Sequence, residues 1–447
     1  MTGGDTIAAI ATAPGRGAIG IVRVSGDLVR EIVRFIAGHC PPPRAAQLAT
    51  FRDAAGTPFD SGLLLFFPSP HSFTGEDTVE FQGHGGPAVL DLLLTTILHQ
   101  GARLAWPGEF SARAFQNGKL DLTQAEAIAD LIEAGSAQTA RLAHRGLQGT
   151  FSRRIQALAE PLLELRAFVE ASIDFVEEDL DPALFADLER RLTDLHAACV
   201  ELHRAAQQGR ILRQGFQVVL AGPPNAGKST LLNALAGEDI AIVTQHPGTT
   251  RDLLRASIHI NGLPIHLVDT AGLRETGDAI EKEGVRRAWD AAGSASRILW
   301  ITDATVVPDP GVPDEIHQLG VPITRVFNQI DRLDEPPARG EEDRLPWLKL
   351  SAATGAGLDL LRQHLKQAAG LIGEEGNCEF LARRRHLDAL EQALTALTAA
   401  QMAWKDRGLE LIAEDLREAQ NALGQITGAV TPDDVLTVIF GSFCIGK

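Results

Sequence analysis

The sequence predicts a multidomain α/β protein. It should comprise an α+β amino-terminal domain, a helical domain, and a P-loop α/β domain with a mainly parallel sheet inserted into the helical one. Three observations carry that prediction. Strand-like and helix-like runs alternate from about residue 215 to about 370, the pattern of βα units on a parallel sheet. Apolar residues at three- and four-residue spacing flank that stretch on both sides, as amphipathic helices do. Between the strand-like run Phe216–Leu220 and the helix-like run Leu231–Gly237 stands GPPNAGKST, Gly222–Thr230, which fits the phosphate-loop pattern G-x-x-x-x-G-K-[ST] in its proper strand-to-helix setting.

Residues 1–118 mix short β-like runs with turn residues. Ile19–Val24, Leu63–Phe67 and Thr78–Phe81 read as strands and Pro87–His99 as a helix, a compact α+β domain. Residues 119–214 form the first part of the helical domain. Gln124–Leu131, Thr150–Ile173 and Ala183–Gln208 are amphipathic, and Leu158, Leu162, Leu165 and Val169 share one face. Residues 215–372 carry the strands FQVVL, SIHI, PIHLVD, RILWITD, ITRVFNQID and LKLSA. In residues 373–447 the helical pattern returns, with Leu409, Ile412, Leu416, Ala419, Leu423 and Ile426 in one stripe. No internal repeat stands out.

At 447 residues the chain exceeds one ordinary core. Its net charge of −17 argues against indiscriminate nucleic-acid binding; such a partner needs a local basic patch or a helper protein. Arg153-Arg154 and Arg383–Arg385 are candidates, though each alone reads as a solvated helix face. Cys40, Cys199, Cys378 and Cys444 lie far apart with no zinc spacing, which points to a reduced, cytoplasmic protein. The first residues lack a basic start before their apolar run and do not read as a secretory signal. Leu63–Phe67 and Val89–Leu94 are too short to span a bilayer, so no membrane is expected. Tyrosine is absent, which removes one candidate acid.

The phosphate loop assigns roles by residue type. Glycine lets backbone N–H groups approach phosphate oxygens, Lys228 brings a charge to the β- and γ-phosphates, and Ser229 offers a hydroxyl to Mg2+. The loop contacts comprise Asn225, Ala226, Gly227, Lys228, Ser229 and Thr230. Asp269-Thr270-Ala271-Gly272 closes a strand, where Asp269 would hold the Mg2+ shell and Gly272 would sense the γ-phosphate. Gly248-Thr249-Thr250-Arg251-Asp252 lies where a switch loop belongs and offers Thr250 as a second Mg2+ ligand. Asn328-Gln329-Ile330-Asp331 ends a later strand, with Asp331 placed to bind guanine. Ser351, Ala352 and Ala353 end the last strand, where backbone N–H groups would meet guanine O6. Each piece alone is an ordinary turn or cap; their order at successive strand ends points to a GTP-binding domain of the translation-factor-like class. Gln329 replaces the usual lysine of Asn-Lys-x-Asp, so lower nucleotide affinity with guanine selectivity retained is expected. Leu273 follows the Asp-Thr-Ala-Gly run, and no glutamine stands ready to orient water. Arg274, Glu275, Asp278, Glu281 and Glu283 follow, mostly readable as helix-start acids.

The chain resembles the tRNA modification GTPase family of the MnmE (TrmE) type over its whole length. DTIAAIAT at 5–12, GAIGIVRVSG at 17–26, PGEFSARAFQNGKLDLTQAEAIADLI at 107–132 and GPPNAGKSTLLNALAG at 222–237 carry the likeness. So do PGTTRD at 247–252, DTAGLRETGDAIEKEG at 269–284, FLARRRH at 380–386 and FCIGK at 443–447. The resemblance implies a GTPase that uses K+ beside the β- and γ-phosphates. The ion would be held by the Asn225 side chain, oxygens of Thr244 and His246, and Thr249. GTP contacts would run through Thr244, Gln245, His246, Pro247, Gly248, Thr249 and Thr250. Glu281 would be the water-orienting base, with Arg274 an accessory. Two G domains would meet during turnover, so no external activator is needed.

The same resemblance implies that the amino-terminal domain is folate-binding-like. Arg23, Glu80, Lys119 and Lys447 would contact a reduced tetrahydrofolate, in the 5-formyl or 5,10-methylene form. A carboxylate suits the amide-rich pterin, and Arg and Lys suit the anionic tail. From the residues alone, Arg23 and Glu80 read as edge-strand charges. Cys444 reads as an idle thiol, placed near the folate pocket by the resemblance. The implied role is modification of the wobble-uridine C5 of tRNA (carboxymethylaminomethyl or aminomethyl). The chain would be a homodimer through its amino-terminal domain, working with the flavoprotein MnmG (GidA) in a heterotetramer or larger complex. Two other readings compete: a ribosome-assembly GTPase, which usually carries an RNA-binding module that the sequence does not show, and a folate-dependent transferase with a decayed G domain, favoured by Gln329 alone.

Overall fold

The computed structural model describes residues 4–174, 182–238, 255–260, 262–269, 292–370, 378–402, 408–429, 436, 439–441, 443 and 446. It divides into two units. One comprises Met1–Ile132, Gly146–Cys199 and Ala389–Lys447; the other comprises Glu133–Arg145 and Val200–Asp388.

The first unit holds a six-stranded sheet of β1 (Ile7–Ile10), β2 (Ile19–Ser25), β3 (Gln47–Arg52), β4 (Pro58–Phe67), β5 (Thr78–His84) and β6 (Arg103–Leu104), in the order β3-β4-β5-β2-β1-β6. All neighbours are antiparallel except β1 and β6. Period-two alternation sends Val22, Val24, Leu64, Phe66, Val79 and Phe81 to one face. There α1 (Val29–Ala37) and α2 (Pro87–His99) cover them with Ile32, Ile36, Leu93 and Ile97. The opposite face carries Arg23 and Glu80, paired across β2 and β5. Near β1 it is closed by α3 (Glu109–Gln116), whose Phe110 packs on Ile7 and Ala9.

An ion-pair network locks α3 in place. Arg113 bonds Asp5 (2.6 Å), Glu76 (3.1 Å) and Glu109 (3.1 Å), while Arg103 bonds Asp5 and Glu109, both at 2.5 Å. Burial opposes ionisation of Glu109, but hydrogen bonds from Arg103, the Trp106 N–H and Arg113 outweigh it and hold the carboxyl below its usual range.

The helices that follow are α4 (Leu122–Glu133), α5 (Ala137–Leu147), α6 (Thr150–Asp174) and α7 (Pro182–Gln214). The anticipated stripe on α6 is buried: Leu158, Leu162, Leu165 and Val169. It meets the helix Leu409–Thr427, numbered α12 below, whose Ile412, Leu416, Ala419, Leu423 and Ile426 are buried in turn. Arg166 Nη1 donates to Gln420 Oε1 across that seam at 2.7 Å.

The second unit carries β7 (Phe216–Ala221), β8 (Arg255–Ile260), β9 (Leu263–Asp269), β10 (Arg297–Asp303), β11 (Ile323–Asn328), β12 (Ala338–Glu342) and β13 (Leu345–Lys349), in the order β12-β13-β11-β10-β7-β9-β8. The five central strands are parallel and the two edges antiparallel. The central strands are apolar on both faces, as doubly covered parallel strands must be. Among the described residues, the helices of this stretch include α8 (Lys228–Glu238), α9 (Asp314–His317) and α10 (Leu358–Ala368), followed by α11 (Arg384–Met402) and α12. The strand order reverses at β7, which opens a crevice at the carboxyl ends of β7 and β10. The fold class is thus the expected one: α+β front end, helical domain and P-loop α/β domain. No helix among the described residues is long and apolar enough to cross a membrane.

Candidate functional site

The phosphate loop turns out of β7 into α8 at that crevice. Two of its glycines are required by packing. A Cβ at Gly222, whose φ is 146°, would stand 2.0 Å from the Ile301 carbonyl oxygen of β10. A Cβ at Gly227, whose φ is 89°, would stand 2.2 Å from Asn328 Nδ2. Lys228 Nζ donates to the carbonyls of Gly222 and Pro223, both at 2.9 Å. Burial lowers its pKa, partly offset by Asp269. The ammonium is thereby held under the loop that would wrap a phosphate.

Ser229 Oγ, at the start of α8, donates to Asp269 Oδ2, at the end of β9, at 3.0 Å. Asp269 is 2% exposed, and its Oδ1 finds no hydrogen-bond partner among the described residues. A buried carboxylate oxygen without a donor, beside a hydroxyl, is a donor set for a hard cation. Ser229 and Asp269 therefore fit Mg2+.

The loops that follow β11 and β13 lock onto the phosphate loop through Asn328. Its Nδ2 donates to the Ala226 carbonyl and its Oδ1 accepts from the Ala352 N–H, both at 2.9 Å. Gln329, with φ 69°, donates from Nε2 to the Asn225 carbonyl at 3.0 Å. Asp331 is exposed, and Ser351 Oγ donates to its Oδ1. Ile330 is buried beneath it. The Ala352 N–H is thus engaged by Asn328, while the neighbouring Ala353 is exposed. The Asn225 side chain is exposed. Thr244–Thr250, Thr270, Ala271, Gly272, Arg274 and Glu281 lie outside the described residues, as do Cys444 and Lys447.

On the first sheet, Arg23 and Glu80 are not edge-strand charges. They stand on β2 and β5, in the middle of the sheet. Arg23 Nη2 and Nε both reach Glu80 Oε1, at 2.8 and 3.1 Å. Gln82 Nε2 donates to Glu80 Oε2 at 3.2 Å. The guanidinium lies 5.7 Å from the ring centres of both Phe73 and Phe110. Lys119 Nζ donates to the Pro70 carbonyl at 2.9 Å, and its stem passes Gly75, so it flanks the loop that carries Phe73.

Sequence reasoning missed Gln82, Phe73, Phe110 and a further pair that joins β4 to β5. Asp60 takes the His84 N–H at 2.9 Å and His84 Nδ1 at 2.6 Å. Burial works against the Asp60 charge, but the His84 and Ser61 hydrogen bonds prevail and hold its carboxyl below the ordinary range. The period-two spacing of Glu80, Gln82 and His84 was the available signal, since alternate strand residues share a face.

The chain is similar to known proteins over its whole length. The family described as "MnmE helical domain" matches residues 122–444, and "GTP-binding protein TrmE N-terminus" matches residues 6–119. A "tRNA modification GTPase MnmE" of Nitrosococcus oceani is 53% identical over 447 residues, covering 99% of this chain and 97% of its own. One of Pseudomonas paraeruginosa is 54% identical over 452 residues, covering 99% of each chain. Among solved structures, a variant of Era from Aquifex aeolicus bound to GDP and AlF4− is 28% identical with a TM-score of 0.27, covering 40% of this chain and 66% of that one. The matched families and the full-length identity stand beside a phosphate loop, a carboxylate-backed hydroxyl and an Asn-x-x-Asp clamp on one parallel sheet, and the chain belongs to the tRNA modification GTPase MnmE family, as a GTP hydrolase.

Proposed function

We propose that this chain is the K+-activated GTPase subunit of a complex that modifies the wobble-uridine C5 of tRNA. It hydrolyses GTP to GDP and phosphate. It acts in the cytoplasm as a homodimer with the flavoprotein MnmG and a reduced folate. Its domains run 1–118, 119–214 with 373–447, and an inserted G domain at 215–372. The observation that supports this most is the Ser229–Asp269 pair beside Lys228, with the base loops clipped to the phosphate loop by Asn328.

In this reading Lys228 and the loop N–H groups bind the β- and γ-phosphates. Ser229, Asp269 and Thr250 hold Mg2+, and Asn225, Thr244, His246 and Thr249 hold K+. When bound, these cations supply positive charge beside the phosphate oxygens. Glu281 orients the attacking water and takes its proton; the water oxygen bonds to the γ-phosphorus as the bond to the β–γ bridging oxygen breaks. Arg274 assists, and Asp331 selects guanine. Arg23, Glu80, Lys119 and Lys447 form the folate site. The pterin would compete with Arg23 and Gln82 for Glu80, and the Phe73 and Phe110 rings offer it apolar walls. The exposed Leu48, Leu63 and Ile19 on the sheet support an amino-terminal dimer face.

The test is GTP turnover in K+ against Na+. Strong K+ stimulation, lost in Glu281→Ala while GTP binding persists, is expected; equal rates in the two salts would sink the reading.

A further inference from the structure

The net charge of −17 is not spread evenly. In the second unit, the segments 133–145, 200–214 and 378–388 carry eight arginines (141, 145, 204, 210, 213, 383, 384 and 385) against Glu133, Glu201, Glu379 and Asp388. On α5, Thr139, Leu142 and Ala143 are buried, while Arg141, His144 and Arg145 are exposed on the other face. No carboxylate lies within ion-pair distance of Arg141 or Arg145 among the described residues. Arg145 sits near enough to the buried Cys378 for its charge to act on the thiol. From Cys378 the chain runs tightly over α7: a Cβ at Gly209 would stand 2.5 Å from the Phe380 carbonyl oxygen and 3.1 Å from the Ala382 nitrogen. Phe380, Leu381 and Ala382 are buried in that contact. They deliver Arg383, Arg384 and Arg385 to the start of α11, where Arg384 is exposed and, among the described residues, pairs with Asp388 at 3.7 Å. Arginine at a helix amino terminus gains nothing from the helix dipole. This placement suits a bound polyanion.

We propose that the exposed face of α5, with the arginine run at the head of α11, grips the sugar–phosphate backbone of tRNA. This rests on the tRNA-modifying reading above. The contact is to phosphate, so it adds affinity and register without reading sequence.

The test uses the full chain and a tRNA transcript with a wobble uridine, with binding followed by fluorescence anisotropy from about 50 to about 200 mM KCl. Arg141→Glu/Arg145→Glu/Arg384→Glu is expected to weaken binding at least about tenfold at the low-salt end. It should also flatten the slope of log affinity against log salt by about 2 to 3. The corresponding triple lysine variant keeps the wild-type slope, and unchanged GTP turnover in both variants excludes misfolding as the cause. A wild-type slope in the glutamate variant overturns the proposal. So does an equal loss in Arg190→Glu/Arg191→Glu, on a separate stretch of α7. Lost binding of an acidic protein with tRNA affinity intact would assign the face to protein instead. Failure of K+ stimulation would undo the catalytic reading and leave this salt slope to be read by itself.

Discussion

Gln329 keeps by hydrogen bond a connection between base loop and phosphate loop that needs no charge. Its Nε2 reaches the Asn225 carbonyl, so the loss of lysine does not leave the loops untied. Gln329→Ala removes one such bond and is expected to weaken GTP about 3- to 10-fold by titration calorimetry; unchanged affinity would show the tie to be idle. Asp331→Asn withdraws a charged acceptor, and an erosion of guanine-over-adenine preference of about 10- to 100-fold is expected in competition binding. Gly222→Ala places a methyl 2.0 Å from the Ile301 oxygen, and loss of GTP binding in a folded protein is the expected result.

Within the first unit, elements are held by different forces. The seam between α6 and α12 is apolar, so Leu165→Ala, at a residue 1% exposed, should cost about 2–5 kcal/mol, measurable as a lower urea midpoint with an unchanged slope. The α3 anchor is ionic instead. Glu109 is held below its ordinary value of 4.5, so its contribution is complete above about that pH and lost as pH falls through the lower folded value. In the second unit, the amino-terminal end of α5 rests on the β8–β9 hairpin. Gly262, with φ 81°, lies so close to Gln138 that a Cβ there would stand 1.8 Å from its Oε1. Gly262→Ala should lower the melting temperature, and pairing it with Gln138→Ala should recover only part, since the left-handed backbone strain remains.

Across the whole molecule the two sheets should respond differently to acid. His364, hydrogen-bonded to Thr324 Oγ1 at 2.8 Å in the second unit, is pushed down from 6.5 to about 4 by burial, aided by Arg297 and Arg339. A depressed pKa means the folded state resists the proton, so this stability is full above pH 6.5 and lost as pH falls toward about 4. Calorimetry from neutral to acid pH should therefore show the second unit's transition falling first, with the Glu109 network failing at lower pH. His364→Gln should remove the first response. The acidic surface and the local arginine face fit one molecule, because phosphate contacts are screened within about 10 Å at ordinary salt and act where the arginines are, whatever the distant charge.

What the sequence alone determined is everything encoded within a few residues of itself: the phosphate loop between strand and helix, the Asp269 and Asn328 strand ends, and the stripes of α6 and α12. Those signals are local because turn chemistry and periodicity act over one or two turns of chain. Strand order, register and helix packing decided the rest. They brought Arg23 to Glu80 across 57 residues, Arg113 to Asp5 across 108, and Asn328 to Ala226 across 102. They also moved Arg23 and Glu80 from the sheet edge, where their charge alone would place them, to its middle. Pairing over such separations is set by which strands lie side by side, and only the folded chain contains that information.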